Sequence, residues 1–255
     1  LGHRRGAADA LVREAELLGL AEQLRASPSQ PVWEHLLGKI ALVDRLQLNQ
    51  PGRRAFHAWA AQLLAPPFAR LGWEAKPGES PLDAALRPKL IAALGTYGDR
   101  AVIDECTRLW TAFLADPATV PGNIRAAVLA VVGRYATRET YDQLHALARD
   151  AKTTQEKRRA YAAMQAVLDP ALAAETLALT LGKELSTSEA ARNVALVAAN
   201  EHPDLAWKFT QANTDALLQR FDDDGVKRLP QFNGTAGNDT IDLGGAGDLQ
   251  GAGGA

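Results

Sequence analysis

The chain has 255 residues, 47% of them hydrophobic, which is enough to form a substantial buried core. Its 28 lysines and arginines are balanced by 30 aspartates and glutamates, so there is no net basic charge to attract nucleic acid or anionic lipid. The single cysteine, Cys106, excludes an internal disulfide, and no apolar run approaches the roughly 20 residues of a membrane span.

The N-terminal segment, residues 1–20, has apolar residues at helical spacing among charged residues. It therefore differs from the continuous apolar core of a signal peptide. The segment begins with Leu1 rather than with methionine. We expect from these features that the chain is a piece of a larger protein.

Apolar residues recur at three- and four-residue spacing through most of the chain, which predicts an all-α fold. A long helix over 51–71 carries an aromatic stripe that is typical of a core, and Pro67 is expected to kink it. From Ser80 onward, caps and prolines indicate helices at about 81–94, 99–115, 123–135, 138–150, 154–167, 170–181, 187–200, 204–211 and 213–221. Each helix must bury its apolar stripe on a neighbour, which predicts a superhelical array of antiparallel helix pairs, a solenoid of the HEAT or armadillo type.

Motifs that would indicate catalysis are missing from the sequence. The histidines form no His-Glu-x-x-His pair, and there is no Gly-x-Ser-x-Gly turn or phosphate-binding glycine loop. Arg158 and Arg159 could hold an acidic group, although a solvent-facing helix surface is the commoner role for such residues. The acidic run at 222–224 is expected to be solvated, and Cys106 to be a small buried hydrophobe. We therefore predict no catalytic residue and assign no substrate-binding residue.

The segment 63–99, LLAPPFARLGWEAKPGESPLDAALRPKLIAALGTYGD, resembles the ERAP1-like C-terminal domain of M1 zinc aminopeptidases, the group of puromycin-sensitive aminopeptidase and aminopeptidase N. In that family an LGW…GE turn joins two helices, and a helix of pattern LR…L…A…G follows. Similar segments lie at 123–144, 153–179 and 206–221, where Thr214 replaces the second tryptophan of the family pattern. The family's V-R-x-Q-D stretch is replaced here by residues 184–190.

The resemblance implies that residues 1–231 form one helical-repeat domain, the non-catalytic bowl that closes over a catalytic domain and encloses a peptide cavity. It implies peptides as substrates of the parent enzyme. It also implies zinc in an upstream catalytic domain, in the same polypeptide or complex, and a cytoplasmic or periplasmic location. The alternative is a stand-alone helical-repeat module that binds a peptide or protein and is exported through its tail.

The tail, residues 232–255, is rich in glycine, asparagine and aspartate, a composition that disfavours helix and predicts irregular structure. Its segment GTAGNDTID, residues 234–242, resembles one calcium-binding RTX nonapeptide. The candidate calcium ligands are Gly234, Gly237 and Asp239. Thr235 stands where a second glycine is usual, and the next unit, 244–250, is out of register. Two hypotheses stay open: a flexible or degenerate remnant, or a working calcium site, which would favour secretion.

Calcium binding by the tail is expected to be weak, with a dissociation constant no tighter than about millimolar. Ca²⁺ takes about six to eight oxygen ligands, and this turn offers one well-placed carboxylate, Asp239, together with carbonyls of a segment that is costly to order. Calorimetric titration of the full chain, of Asp239→Ala and of a chain ending at Gln231 measures the affinity. Micromolar binding that is lost with the tail, or by Asp239→Ala alone, would contradict this prediction.

Overall fold

The computed structural model of this chain describes residues 19–25, 27–221, 231–233 and 240–242. Between 19 and 221 the described chain consists of helices and short connections, which confirms the predicted all-α fold. Contacts divide the chain into two compact units, of which the first ends at Val131 and the second begins at Val132. Each unit is described in turn.

The first unit contains a helical turn at 19–23, the four longest of the described helices and a helix of 13 residues. These helices are α1 (Gln30–Leu46), α2 (Arg53–Leu71), α3 (Pro81–Thr96), α4 (Arg100–Ala115) and α5 (Gly122–Arg134), whose last residues belong to the second unit. Helix α3 packs on both α1 and α2, so it forms the centre of this unit. The largest fully buried apolar side chains here are Trp33, Leu63, Leu64, Leu86, Leu90, Ile91, Leu94 and Ile124.

Side-chain caps begin α3 and α4 of the first unit close to the predicted positions. Ser80 Oγ accepts a hydrogen bond from the backbone N–H of Asp83 at 3.1 Å, and Pro81 occupies the first helical position. Helix α2 continues through Pro66 and Pro67, so the two prolines do not end it. A kink at Pro67 stays a prediction.

The second unit is built from shorter helices. These are α6 (Arg138–Asp150), α7 (Thr154–Gln165), α8 (Pro170–Ala178), α9 (Thr187–Asn200), α10 (Pro203–Ala212) and α11 (Thr214–Arg220). The predicted helix at 170–181 is divided, because α8 ends at Ala178 and tightens into a 3-10 turn, Leu179–Leu181. Helix α6 packs on α7, and α9 packs on α7, α8 and α10, so neighbouring helices cover one another's apolar faces.

A buried polar network joins four helices of the second unit. Tyr141 Oη lies 2.8 Å from Thr176 Oγ1. Asn193 Nδ2 donates to the Thr176 carbonyl oxygen at 2.6 Å and to Thr180 Oγ1 at 3.0 Å, where α8 gives way to the 3-10 turn. Gln165 Nε2 donates to Asn193 Oδ1 at 2.8 Å. Buried polar groups are tolerated when they are paired in this way, so the network fixes how α6, α7, α8 and α9 meet.

The described part of the tail is a short strand pair. Strands β1 (Gln231–Asn233) and β2 (Thr240–Asp242) pair antiparallel, with Phe232 opposite Ile241. The expectation of an irregular tail is therefore corrected at five of these positions, 232–233 and 240–242, where Phe232, Thr240 and Ile241 favour extended backbone. The division into a helical domain, 1–231, and a tail, 232–255, stays a prediction.

Two helix glycines lie where helices approach closely. A Cβ atom at Gly95 would overlap the side chain of Val131, in the same unit. A Cβ atom at Gly133 would overlap the carbonyl group of Ala163, so here α5 rests on the backbone of α7. A helix backbone cannot move away from a clash as the end of a flexible side chain can. The contact therefore leaves no room for a side chain larger than that of glycine at position 133.

Gly133→Ala should lower the free energy of unfolding by about 1 to 3 kcal/mol, because overpacking against a rigid backbone forces α5 and α7 apart. Gly38→Ala is the matched control, since Gly38 is also helical but a Cβ atom there meets nothing within 4 Å. We expect that control to be neutral or stabilising by up to about 1 kcal/mol. Urea unfolding followed by circular dichroism compares the free energies of unfolding of the two variants. Equal values would contradict the prediction, because they would show that the helices accommodate the added Cβ atom at position 133 without loss of stability.

Candidate functional site

The predicted calcium ligands Gly234, Gly237 and Asp239 lie outside the described residues, as does the acidic run at 222–224. Within the part of the chain that the structure describes, no group of three or more histidine, cysteine, aspartate or glutamate side chains could hold a metal ion. None of the helices described is long and apolar enough to cross a membrane.

Cys106 is buried in α4, as predicted. Burial, with a smaller effect of the neighbouring Glu105 carboxylate, raises the pKa of the Cys106 thiol to about 12. The thiolate is the reactive form of cysteine, so this residue is inert near neutral pH. It belongs to the core of the first unit.

The basic residues of α7 lie at the surface of the second unit. Arg158 is exposed and Arg159 is half-buried. The pKa of Glu189 is lowered, first by a hydrogen bond from Ser186 and further by the charges of Lys157 and Arg158. Part of the positive charge of this helix is thus balanced within the chain, and binding of an external acidic group by Arg158 and Arg159 stays a hypothesis.

A completely buried arginine organises the turn between α2 and α3. Arg87 has 0% relative exposure, and its Nε donates to the Gly72 carbonyl oxygen at 3.0 Å. Its Nη2 donates to the Leu71 carbonyl oxygen at 3.5 Å and pairs with the carboxylate of Glu79. Because the last carbonyls of a helix have no partner within the helix, Arg87 supplies donors to the end of α2 while Glu79 balances its charge. We call Arg87, Glu79 and these two carbonyls the arginine clasp.

The aromatic and glycine residues of the same turn, Trp73 and Gly78, also contribute to its structure. Trp73 is half-buried and packs edge to face on Phe68 of α2, with the ring centroids 5.3 Å apart. Gly78 has a φ of 75°, a left-handed conformation that glycine adopts without strain. Arg87 was not predictable as a buried residue from the sequence, where it stands as a charged residue between two apolar ones, Leu86 and Leu90.

A second polar cluster surrounds Glu184, in the segment that replaces the family's V-R-x-Q-D stretch. Tyr161 Oη donates to Glu184 Oε1 at 2.5 Å, and His145 Nε2 lies 2.6 Å from the same oxygen. Lys157 Nζ donates to the backbone carbonyl oxygen of Glu184 at 3.4 Å. We call these four residues the Glu184 cluster. Sequence reasoning missed it, because its members lie up to 39 positions apart.

Glu184 and Tyr161 are suited to positioning rather than to proton transfer. Burial raises the pKa of Glu184, but hydrogen bonds from Tyr161 and His145 outweigh it, so that the net pKa lies below the usual value. Burial and the Glu184 carboxylate raise the pKa of Tyr161 well above its usual value. A general acid or base works best with a pKa near the operating pH, and both groups move away from neutrality.

A third cluster joins α1 to α2 in the first unit. Arg53 donates to both carboxylate oxygens of Asp44, at 2.8 and 3.0 Å, and His57 Nε2 lies 2.5 Å from Asp44 Oδ1. Burial of Asp44 raises its pKa, but the hydrogen bonds from His57 and Arg53 prevail and hold the pKa well below its usual range. Asp44 is therefore ionised, and its carboxylate links α1 to α2 through hydrogen bonds.

The sequence matches the family model described as the ERAP1-like C-terminal domain over residues 7–236. It is 33% identical to Aminopeptidase M1 of Arabidopsis thaliana over 147 residues, which are 56% of this chain and 17% of that protein. It is 32% identical to Aminopeptidase M1-C of Oryza sativa subsp. japonica over 165 residues, 63% of this chain and 19% of that protein. With the rice Aminopeptidase M1-B it shares 28% identity over 210 residues, 80% of this chain and 24% of that protein.

The chain therefore spans about a fifth of the length of the relatives it matches. The matched family model covers the arginine clasp, the Glu184 cluster and the Asp44 cluster alike. All the helices named above lie within it.

Arg87→Met should lower the free energy of unfolding by about 3 to 5 kcal/mol, because it leaves Glu79 as an uncompensated charge at a buried site and removes the donors at the end of α2. Lys89→Met, one position beyond Pro88, is the control: Lys89 pairs with Glu34 at 2.7 Å, but the two side chains are 51% and 37% exposed. An exposed pair of this kind contributes less than about 1 kcal/mol. Urea denaturation of both variants measures the difference, and similar losses would mean that the clasp is no more important than a surface pair.

Proposed function

Because the chain belongs to the ERAP1-like C-terminal domain family, we propose that it is the non-catalytic C-terminal part of an M1 aminopeptidase and that it encloses the peptide-substrate cavity. The observation that carries this proposal is the arginine clasp in the segment most similar to the family. Arg87, Glu79, Trp73 and Gly78, which stand in that segment, form one structural unit around the turn. The family pattern in this chain therefore coincides with a buried and hydrogen-bonded turn, which supports the proposal.

A covering role agrees with the chemistry of the polar groups that the structure describes. The Cys106 thiol, the Tyr161 phenol and the Glu184 carboxylate all have pKa values displaced away from neutrality. Peptide hydrolysis by an M1 enzyme needs zinc, which polarises the scissile carbonyl and activates water. Three protein ligands for such an ion are not found together among the described residues, so zinc belongs to the catalytic domain of the parent enzyme in this proposal.

The helical array provides the wall of the cavity in this proposal. Neighbouring helices of similar length pack on one another within each unit, which supports the stacking of helix pairs that a solenoid requires. Stacked pairs present one face to a partner and the other to solvent, and the concave face would contact peptides. The partners are thus an M1 catalytic domain, in the same polypeptide or complex, and the peptide that it holds.

The purified chain should have no aminopeptidase activity toward an aminoacyl fluorogenic amide, with or without added zinc, because its sequence has no His-Glu-x-x-His motif and its described residues include no group that could hold the ion. The matched experiment adds an M1 catalytic domain that lacks its own C-terminal domain and measures binding and peptide turnover. We expect the two to associate and the turnover of peptides longer than the fluorogenic amide to change more than that of the amide. Zinc-dependent hydrolysis by the chain alone, abolished by a substitution within it, would contradict a non-catalytic role.

A further inference from the structure

The connection between α8 and α9, residues 179–186, is held in place by side chains from several other elements. The carboxylate of Glu184 is hydrogen-bonded to Tyr161 of α7 and to His145 of α6. The carbonyl oxygens on either side of Glu184, those of Gly182 and Leu185, both accept hydrogen bonds from the guanidinium of Arg220, at the end of α11. Fixing Glu184 therefore also fixes the two acceptors that bind α11.

Helix α11 is weakly held apart from this contact. It has seven residues, Thr214–Arg220, and the one that is buried is Leu217, followed by the buried Phe221. Asn213, which precedes it, makes no side-chain cap, and Leu218 is 54% exposed. Isolated helices of this length are not stable in water, so α11 depends on its contacts with the rest of the unit.

The two ends of α11 are attached in different ways. At its start, Thr214 Oγ1 donates to the carbonyl oxygens of Thr210 and Gln211, in the helix that directly precedes it. At its end, Arg220 reaches the α8–α9 connection 35 positions earlier in the chain. The first attachment is local and survives movement of the helix, whereas the second does not.

We propose that α11 is a strap, hinged at Asn213 and latched by Arg220 onto the α8–α9 connection, and that Glu184 is the positioning residue that keeps this latch closed. The strap opens by local unfolding, since only two apolar side chains, Leu217 and Phe221, leave buried positions. Opening leaves the network around Asn193 intact, because its hydrogen bonds to Thr176, Thr180 and Gln165 do not involve Glu184 or Arg220. This inference concerns the second unit itself and stands independently of the proposed function.

Native-state hydrogen exchange of the full chain, measured by mass spectrometry, tests the strap. Glu184→Ala and Arg220→Leu should each speed exchange of the amides at 217–221 by about tenfold or more, while those within α7 and α9 keep their rates. Asp169→Ala is the matched control: Asp169 caps the start of α8, at the opposite end from the connection, by accepting hydrogen bonds from the backbone N–H groups of Ala171 and Leu172. It should speed exchange only at the first turn of α8.

Wild-type rates at 217–221 in Glu184→Ala and Arg220→Leu would overturn the proposal, because apolar packing alone would then hold α11. Equal acceleration throughout the second unit would also overturn it, since the connection would then be part of one cooperative structure. Acceleration in Arg220→Leu but not in Glu184→Ala would remove Glu184 from the latch. Tyr161→Phe, which deletes one donor to Glu184, provides a milder variant that should accelerate exchange at the same amides by a smaller factor if Glu184→Ala fails to fold.

Discussion

The structure depends on how the backbone carbonyl groups of its short connections find hydrogen-bond donors. Each helix leaves its last carbonyl oxygens without a partner, and a chain made of helices meets this problem at every connection. Arginine side chains repeatedly supply these hydrogen-bond donors. Arg87 donates to the end of α2, Arg125 to the carbonyls of Pro117 and Val120 between α4 and α5, and Arg220 to Gly182 and Leu185. The guanidinium group suits this task because its donors form a fixed fork that serves two acceptors at once.

The sequence was sufficient to predict most of the helices from α2 onward, because local chemistry sets where they begin. Ser80 caps α3, and Thr153 caps α7, through hydrogen bonds to a residue three positions on. The 3-10 turn after α8 was not predictable in the same way, because the donor for the Thr176 carbonyl is Asn193, from another helix. The strand pair at the tail was missed because each strand has only three residues, too few to show a periodicity.

The polar clusters could not be predicted for a related reason. The partners of Arg87 include backbone carbonyls 15 and 16 positions away. Every residue has a backbone carbonyl group, so the sequence does not indicate which of them an arginine contacts. Glu184 meets residues from two earlier helices whose side chains look like ordinary surface groups in the sequence. By contrast, Trp73 and Gly78 were predictable, because one packs on the helix just before it and the other turns the chain by its own conformation.

The contact between Gly133 and the backbone of Ala163, both in the second unit, sets the spacing between the end of α5 and α7 through main-chain atoms. Every amino acid carries the same main-chain atoms, so this local spacing does not depend on which side chains surround the contact. Substitutions around the contact can therefore alter stability while the two backbones keep their distance at this point. The spacing imposes one requirement on the sequence, which is that a hydrogen atom of Gly133 is not replaced by carbon.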